Sequence, residues 1–480
     1  MGFKFVLLWT DVALWLLFAT LAGYAWRVRR HEHLRATWEK VLRDPAALCS
    51  AVVLLLFISV TALDSVHVRR ELASRPGQAA GQVFHDTRTL SVLDMLLERQ
   101  LEMRETTYSR PLAYVSLTKQ SIERDGQTVR EFPRLNHGGA HLQDPAAQWA
   151  ADVTTRAAKG AGAGLLVALG LYLLAAVLLR RSHGGLNPAL RDIAADRTHL
   201  PVRAVVLTLG AICMLAGAVA ALAGYYHVFG TDRTGNDVLV QTLKSVRTAF
   251  VIGTLSTLAM LPVAVTLGIL AGYFRGWVDE LVQYLYTVLS SVPSVLLIAA
   301  CVLMVQVALD KHPEWFDTGV ERSDLKVFML CAILGLTGWA GLCRLVRAET
   351  LKLRELDFVQ AATAFGVSPA RIMARHILPN VVHLVLITTV LGFSDLILYE
   401  AVLTYVGVGV DPSTSSFGGM INMARSEMSR DPVVWWSFVA AFVFMVTLVL
   451  AANLFADGVR DAFDPRARSM RPRLVLRKPA

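Results

Sequence analysis

The sequence predicts an all-α fold, a polytopic membrane helical bundle of about nine transmembrane helices with a small extracytoplasmic region. Of its 480 residues, 54% are hydrophobic and 18% are charged, which is too apolar for an ordinary soluble enzyme. A helix needs about 20 apolar residues to cross a hydrocarbon core roughly 30 Å thick, because lipid offers backbone groups no hydrogen-bond partner. Nine segments meet this requirement, at 5–25, 46–64, 162–180, 203–224, 248–273, 281–309, 326–346, 381–403 and 433–454.

Positively charged residues predict how these segments are oriented. The net charge is +9, but Lys and Arg lie beside membrane segments rather than in one soluble basic domain, so no nucleic-acid partner is expected. The basic stretches after the first, third and seventh spans are predicted in the cytoplasm, with the tail from Arg460 to Lys478. An odd number of spans then places the N-terminus outside. Arginines rather than a cleavage site follow the first segment, which indicates a retained helix.

The five cysteines lie in or beside predicted spans, which favours small packing residues over a disulfide framework or a thiolate metal site. They are Cys49, Cys213, Cys301, Cys331 and Cys343.

The only long polar region, residues 65–160, is predicted outside the cytoplasm and is called the external region below. An amphipathic pattern over 91–104 predicts a helix, and the apolar run 112–117 predicts a short strand. The region is interpreted as a lid packed on the membrane bundle, with a specific ligand site as the alternative. His137 and His141 are four residues apart, but the glycines between them predict a polar loop rather than a helical metal site.

The loop after the seventh span carries the most informative pattern. Asp357 is predicted to cap one short helix while Gln360 reaches back to the same turn, and Gly366 suits a left-handed stop. Ser368 is predicted to cap a second helix with a proline at its first position, and Pro379 should limit that helix. The product is a bent helical element displayed to the cytoplasm.

Small and aromatic side chains mark one surface of the first of these helices. Ala361 and Ala362 allow another surface to approach closely, while Phe358 and Phe365 flank them as anchors. Two interpretations fit the pattern equally: a docking ridge, or an amphipathic helix packed on its own bundle.

This loop resembles the coupling motif of binding-protein-dependent ABC importer permeases, commonly Glu-Ala-Ala, three residues, Gly, nine residues, then Ile-x-Leu-Pro. Gln360 replaces the acidic residue, and His376 takes the isoleucine position, with Ile377 beside it. By this resemblance the ATPase-coupling residues are Asp357, Phe358, Gln360, Ala361, Ala362, Phe365, Gly366, Leu378 and Pro379.

Three further segments resemble the dipeptide, oligopeptide and nickel branch of that family. They are the Gly-Thr-Asp segment at 230–237, the turn at 271–279 and the closing signature at 457–466. The resemblance covers 203–466 and implies a permease core of six spans, which contains the coupling loop at about 348–380. Residues 1–202 are then an N-terminal extension with three transmembrane helices and no assigned role, and 467–480 form a basic cytoplasmic tail.

The resemblance implies a permease subunit of an ATP-driven importer in the bacterial inner membrane, forming half of the translocation path. The implied cargo is a di- or oligopeptide, with nickel complexes or modified peptides as alternatives. The implied partners are a second permease, two ATP-binding subunits, an extracytoplasmic solute-binding protein and membrane lipid. The sequence has no phosphate-binding Gly-x-x-x-x-Gly-Lys-Ser/Thr loop, so ATP and Mg²⁺ are expected on partner chains and no cofactor on this one.

Asp395 and Glu400 lie in the eighth span, where an ionised carboxylate must face water or a partner. Both are predicted to face the bundle interior. A place on the translocation path and a structural ion pair with a cation such as Arg344 are both open.

Two other functions compete with transport. An intramembrane hydrolase could use Ser394 as a nucleophile, but such a serine needs a base, and His383 lies about three helical turns away. A sensor built around the external region is the second alternative.

Overall fold

The described part of the chain folds into long apolar helices and two small antiparallel sheets. The computed structural model describes residues 3–71, 85–124, 127–181, 184–316 and 318–463. The predicted tail at 467–480 and the last three residues of the 457–466 signature lie outside the described residues.

In its described residues the extension supplies five strands and seven helices. Its strands are β1 (Phe3–Val6), β2 (His67–Arg70), β3 (Leu90–Ser91), β4 (Gln120–Arg124) and β5 (Gln127–Glu131). Its helices are α1 (Trp9–Arg30), α2 (Glu32–Arg43), α3 (Pro45–Asp64), α4 (Val92–Leu96), α5 (Glu98–Glu102), α6 (Pro145–Leu179) and α7 (Leu186–Ala194).

The permease core supplies the remaining helices. They are α8 (Val202–Ala223), α9 (Val238–Phe274), α10 (Gly276–Ser291), α11 (Ser294–Lys311), α12 (Gly319–Gly338), α13 (Ala340–Arg354), α14 (Asp357–Ala364), α15 (Pro369–Ile372), α16 (Leu378–Val406), α17 (Phe417–Glu427) and α18 (Trp436–Phe463). A 3₁₀ turn at Pro313–Trp315 precedes α12, and a π-helical segment at Met373–Ile377 joins α15 to α16. At 37 residues, α9 is about 55 Å long, and α3, α12, α13 and α16 pack along it.

Seven helices in the described part of the chain are long and apolar enough to cross a membrane: α3, α6, α8, α9, α11, the continuous segment Pro369–Val406, and α18. An eighth span is formed by α12 and α13, which bend by 41° where they meet. The polytopic helical fold is therefore confirmed.

Two predicted spans differ from the structure. The segment at 5–25 begins with β1 and continues as α1, whose apolar character falls short because Asp11 lies in its first turn and arginines occupy its last. The segment at 281–309 is not one helix, because Pro293 separates α10 from α11 and the preceding Val292 is extended. Proline removes a backbone donor and disfavours helix at the residue before it.

The sheets join segments that are distant in sequence. In the three-stranded sheet, β2 pairs antiparallel with β1 and with β3, and Val6 lies opposite His67. A hairpin of β4 and β5 forms the second sheet. The strand predicted at 112–117 is wrong, because the Leu112 N–H donates to the carbonyl of His227 in the core, and the segment contributes only an isolated bridge at Val115.

The single helix predicted over 91–104 is also wrong, since Leu97 separates α4 from α5. Ser91 and Asp94 form a capping box at the start of α4. Asp94 also accepts hydrogen bonds from Lys244 Nζ on α9, at 2.7 and 3.0 Å. This contact with the core fixes α4 independently of α5, so a tertiary contact overrides the helical pattern.

A buried cluster of charges joins the extension to the core inside the bundle. Arg247 on α9 donates to Asp11 Oδ1 of α1 at 2.6 Å and lies 3.6 Å from Asp324 of α12. The backbone N–H of Thr10 donates to Asp324 at 3.0 Å, and His67 Nδ1 lies 2.7 Å from Asp11. Helix α1 therefore bridges α9 and α12 through side chains that have almost no access to solvent.

A second buried cluster joins the external region to the start of α9. The Glu105 carboxylate accepts backbone N–H groups of residues 136–138 at 2.8 to 3.1 Å. His227 Nε2 lies 3.6 Å from Glu105, and its Nδ1 lies 2.8 Å from Asp237, whose other oxygen caps α9 at Leu239 N. Contacts between the external region and the core therefore cross the domain boundary predicted at 202.

Opposite charges dominate the protonation of this second cluster. Burial disfavours the charged imidazolium, but the carboxylates of Asp237 and Glu105 overcome it and raise the pKa of His227 to about 9 from 6.5. Burial likewise disfavours the Glu105 carboxylate, but His227 and the three backbone donors lower its pKa to about 2 from 4.5. Both shifts indicate that the pair is charged at neutral pH.

The external region is expected to lose stability in alkali. Because the folded pKa of His227 lies above its ordinary value, its contribution is complete below pH 6.5 and lost as the pH rises through about 9. The contribution of Glu105 has the opposite sign: it is complete above pH 4.5 and lost as the pH falls through about 2. In alkali, the free energy of unfolding of the external region should fall by an amount on the order of 2 to 4 kcal/mol.

Protection factors for the backbone amides of residues 136–138, measured by hydrogen exchange between pH 6 and 10, check this prediction. The control is His227→Gln, in which the protection factors should be lower and vary little over that range. An equal decline in both proteins would assign the pH dependence to another group.

Candidate coupling surface and intramembrane carboxylates

The coupling loop begins as predicted with a short helix, but its cap differs. Leu356 is the N-cap residue of α14 and Asp357 is already its first helical residue, so the capping role predicted for Asp357 is wrong. The Asp357 carboxylate instead lies in the first turn, where the helix dipole favours negative charge. Gln360 Nε2 donates to the carbonyl of Glu355 at 3.2 Å, so this side chain returns to the loop's own backbone.

The stop and restart of the loop follow the prediction in part. Gly366 has φ of +72°, the left-handed conformation expected of it. Ser368 occupies the N-cap position before Pro369, but its side chain makes no capping hydrogen bond. Pro379 does not limit the second helix, because the π-helical segment carries the chain into α16 and leaves Pro379 in the first turn of that helix, where a missing N–H is tolerated.

Buried apolar side chains anchor the coupling loop to its own bundle. Val359, Ile372, Ile377 and Val381 are at most 1% exposed and pack with residues of α9, α10 and α13. Ala362 is half-buried and packs against the same cluster. Ile377, at the end of the π-helical segment, is the residue that packs into this cluster, while the neighbouring His376, at the isoleucine position of the motif, is half-buried.

The opposite face of the loop is apolar and open. Phe365 is 87% exposed, and Phe358 and Leu356 are 44% and 43% exposed. Gln360 and Ala361 are also exposed. Ridges of aromatic side chains around a small residue are the kind of surface that anchors a protein interface, and docking on this face stays a prediction. Leu378 and Pro379 are exposed farther along the chain, at the start of α16.

Asp395 and Glu400 point in different directions, so the prediction that both face the interior of this bundle is wrong. Five residues correspond to a rotation of about 140° on a helix. Glu400 is 1% exposed and accepts a hydrogen bond from Thr404 Oγ1 at 2.8 Å, whereas Asp395 is exposed on the surface of the chain.

The proposed ion pair with Arg344 does not form, because Arg344 lies with its guanidinium 5.3 Å from the Tyr286 ring and its Nε near the carbonyl of Ala340. Across the described ranges no ion pair joins Asp395 or Glu400 to a cation. Ser394 Oγ donates to Asn453 Oδ1 at 2.7 Å. An amide cannot act as the base that a serine nucleophile requires, so the geometry gives the hydrolase alternative no support.

His137 and His141 lie in a loop, as predicted. His141 Nε2 lies 2.8 Å from Asp152, and its ring contacts Tyr225 and Tyr226 edge-on. In the parts of the chain that the structure describes, no three His, Cys, Asp or Glu side chains are grouped so that they could hold a metal.

Comparison with known proteins agrees with this architecture. The family model described as "Binding-protein-dependent transport system inner membrane component" matches residues 264–469. The oligopeptide transport system permease protein OppC of Mycobacterium tuberculosis is 33% identical over 248 residues, covering 52% of this chain and 79% of that protein. The chain belongs to this family of ABC importer permeases. The family predicted from the coupling motif is thereby confirmed.

Other relatives of this permease belong to the same branch. The glutathione transport system permease protein GsiD of Pectobacterium atrosepticum is 32% identical over 243 residues, covering 51% of this chain and 74% of that protein. The dipeptide transport system permease protein DppC of Lactococcus lactis is 31% identical over 241 residues, covering 50% and 64%. A solved inward-facing structure of the MetNI methionine ABC transporter aligns with 47% of this permease and 96% of its own chain, at a TM-score of 0.34 and 16% identity, a likeness too weak to support an argument.

Several contacts of this permease could not be found from sequence. The exposed Leu356 has no counterpart in the quoted motif and was missed. The contact of Glu400 with Thr404 could be predicted from the sequence, since residues four apart lie on the same face of a helix. The pairing of Glu105 with His227 has none, because the two residues belong to separate segments joined only by the fold.

Proposed function

We propose that this permease forms half of the translocation path of an ATP-driven importer of short peptides, and that its coupling loop receives an ATPase subunit. The observation that carries the proposal is the two-faced loop: buried Val359 and Ile372 hold it on α9 and α13, while Phe358 and Phe365 are left exposed. An exposed aromatic ridge fixed on a rigid base suits a surface that must transmit motion between subunits.

The proposed assembly contains a second permease, two ATP-binding subunits and an extracytoplasmic solute-binding protein. ATP and Mg²⁺ bind the ATP-binding subunits, since this sequence has no phosphate-binding loop. When paired ATPases close on ATP, the coupling loops move and the path between the two permeases changes its opening. The exposed Asp395 is the better candidate for this path, because the partner permease or water must cover a carboxylate at that depth.

The cargo is proposed from relatives whose names specify oligopeptide, dipeptide and glutathione transport. Short peptides are the common class, and glutathione is itself a modified peptide. Nickel complexes carried by the same machinery are the alternative.

Copurification tests the proposal. The tagged permease is purified with its membrane partners, the bound chains and solutes are identified by mass spectrometry, and the complex is reconstituted for uptake of labelled peptides. We expect an ATPase, a second permease and ATP-dependent uptake of a peptide. The proposal is wrong if the permease purifies without an ATPase. It is also wrong if the reconstituted complex imports only nickel complexes.

The proposed orientation places the N-terminus outside and the C-terminus in the cytoplasm. Pairing of β1 with β2 places residues 3–6 and 67–70 on the same side of the membrane, so in the proposed orientation α1 crosses the membrane as well as α3. A cysteine introduced at the exposed Ser121 should react with an impermeant thiol reagent in intact cells, and one at Ser368 should not. The parent protein, with five native cysteines that are buried or half-buried, is the control. Labelling of the cysteine at position 368 and not of the one at position 121 would show that the orientation is the reverse of the proposed one.

A further inference from the structure

The turn at 271–279, between α9 and α10, is joined to the helix that leads into the coupling loop. Arg347 on α13 donates from Nη2 to Asp279 Oδ2 at 2.7 Å and from Nε to Oδ1. The two side chains are 24% and 14% exposed, so water screens this bidentate pair only in part. A planar contact through two hydrogen bonds fixes direction as well as distance.

Helices α9 and α13 also pack closely, because α9 presents glycines to side chains of α13. A Cβ atom added to Gly272 would lie 2.6 Å from Thr350 Cβ, and one added to Gly268 would lie 2.8 Å from Val346 Cβ. Contacts this close leave no room for a larger side chain at either glycine. The cytoplasmic half of α9 and the helix before the coupling loop therefore form one packed unit.

The backbone of the turn has an unusual conformation. Arg275 has φ of +56° and ψ of −167°, and the following Gly276 also has a positive φ. A residue with a side chain rarely adopts this conformation unless surrounding contacts impose it. Beside the turn, Arg354 Nη1 donates to the carbonyl of Tyr273 at 2.7 Å, which gives α13 a second attachment to the end of α9.

The far end of α9 carries the attachments of the extension. Lys244 binds Asp94 and Arg247 binds Asp11, both from the extension. Helix α9 is thus bound at one end to the helix that precedes the coupling loop and at the other end to the extension.

We propose that the Asp279–Arg347 pair fastens α9 to the coupling loop, so that α9 and the extension move with that loop during transport. Asp279 and Arg347 are positioning residues in this role, since they act through α9 and not on cargo. The inference rests on the proposed coupling function of the loop.

The test compares the assembled importer with its Asp279→Asn variant in proteoliposomes. Three quantities are measured: ATPase retained with the permease, ATP hydrolysed and peptide imported. We expect ATPase retention to be unchanged and peptide imported per ATP to fall about tenfold, the scale set by losing a charge-assisted hydrogen bond in a partly buried site. A purely structural role would lower hydrolysis and import in proportion.

Two variants sharpen the test. Arg347→Lys keeps the charge but loses the bidentate geometry, and import per ATP should fall by a smaller factor than in Asp279→Asn. The matched control is Arg275→Gln, which breaks the Arg275–Glu355 ion pair between the same two segments without changing a residue of the coupling loop. Those side chains are 47% and 56% exposed, so the pair contributes little, and this variant should behave as wild type.

The charge exchange Asp279→Arg with Arg347→Asp should recover import per ATP to within about threefold of wild type, because it restores an ion pair of opposite direction at the same place. If Asp279→Asn retains the ATPase and imports as much peptide per ATP as wild type, the proposed role of the Asp279–Arg347 pair is wrong, but the proposed function of the permease is not affected. Failure of the wild-type permease to retain an ATPase would instead overturn the proposed function on which it rests.

Discussion

Replacing Ala361 by glutamate is expected to abolish peptide import and ATPase copurification while the permease itself still inserts and folds. Ala361 is exposed on α14, on the same loop as the exposed Phe358 and Phe365. A docked ATPase would bury the new carboxylate without a partner, at a cost of several kcal/mol. Before docking the side chain points into solvent, so the isolated permease should tolerate it. The measurement is ATPase copurification and uptake at matched expression.

Ala362→Glu provides the contrast. The sequence pattern predicts that Ala362 is as exposed as Ala361, but it is half-buried against the cluster that contains Val359. Glutamate at 362 should therefore destabilise the loop on its own bundle, which is detected as a lower melting temperature of the purified permease. Wild-type ATPase retention in Ala361→Glu would show that this face is not the docking surface.

Gly366 tests the loop through its backbone. A Cβ atom added there would have no neighbour within 4 Å, so any defect must come from the positive φ and not from a clash. Gly366→Val should reduce import, because a β-branched residue in this conformation costs about 1 to 3 kcal/mol. Gly366→Asn is the matched control and should import nearly normally, since asparagine tolerates the left-handed region. Equal activity of the two variants would remove the conformational explanation.

Replacing Arg247 by methionine should prevent stable folding of the whole chain. The guanidinium is the cation between the buried Asp11 and Asp324, and it also donates to Thr10 Oγ1 at 2.8 Å. Removing one partner of a buried ion pair leaves uncompensated charge and costs about 3 to 5 kcal/mol. Expression level and the monodisperse fraction in detergent are the measurements, and both should fall sharply.

Neutralising the partners should reverse much of this loss. In the quadruple variant Arg247→Met, Asp11→Asn, Asp64→Asn and Asp324→Asn, none of the buried carboxylates that interact with Arg247 remains charged, so the monodisperse fraction should recover substantially. Arg35→Gln is the surface control, since Arg35 pairs with Glu39 at a site where its side chain is 68% exposed. If Arg247→Met alone behaves as wild type, this cluster does not hold α1 in the bundle.

Features encoded locally could be predicted from the sequence. Eight of the nine spans predicted from long apolar runs contain helices with the length and hydropathy expected of a span. One of these eight is a bent pair of helices, and another is shortened by Pro293. The left-handed turn at Gly366 follows from a residue type with few alternatives. The break between α14 and α15 at Gly366 belongs to the same class, whereas the cap at Asp357, the cap by the Ser368 side chain and the stop at Pro379 are not found.

Features decided by distant contacts could not be predicted. Asp11 and Arg247 are 236 residues apart, and neither local pattern points to the other. The directions of Asp395 and Glu400 were missed because α16 is apolar on nearly every side, so its sequence does not mark which face is buried. The continuation of helix past Pro379 depends on a π-helical segment, which has no reliable sequence signal.

The contacts between the extension and the core have a consequence for biosynthesis. A ribosome makes the extension first, yet Thr10 is hydrogen-bonded to a residue 314 positions later, and Ser109 to one 122 positions later. N-terminal segments of many proteins complete their folding while the remainder is still being translated. Here the extension stays incomplete until α9 and α12 have entered the membrane, so nascent chains that stall before residue 247 should present the Asp11 carboxylate without its Arg247 partner to the quality-control proteases of the cell.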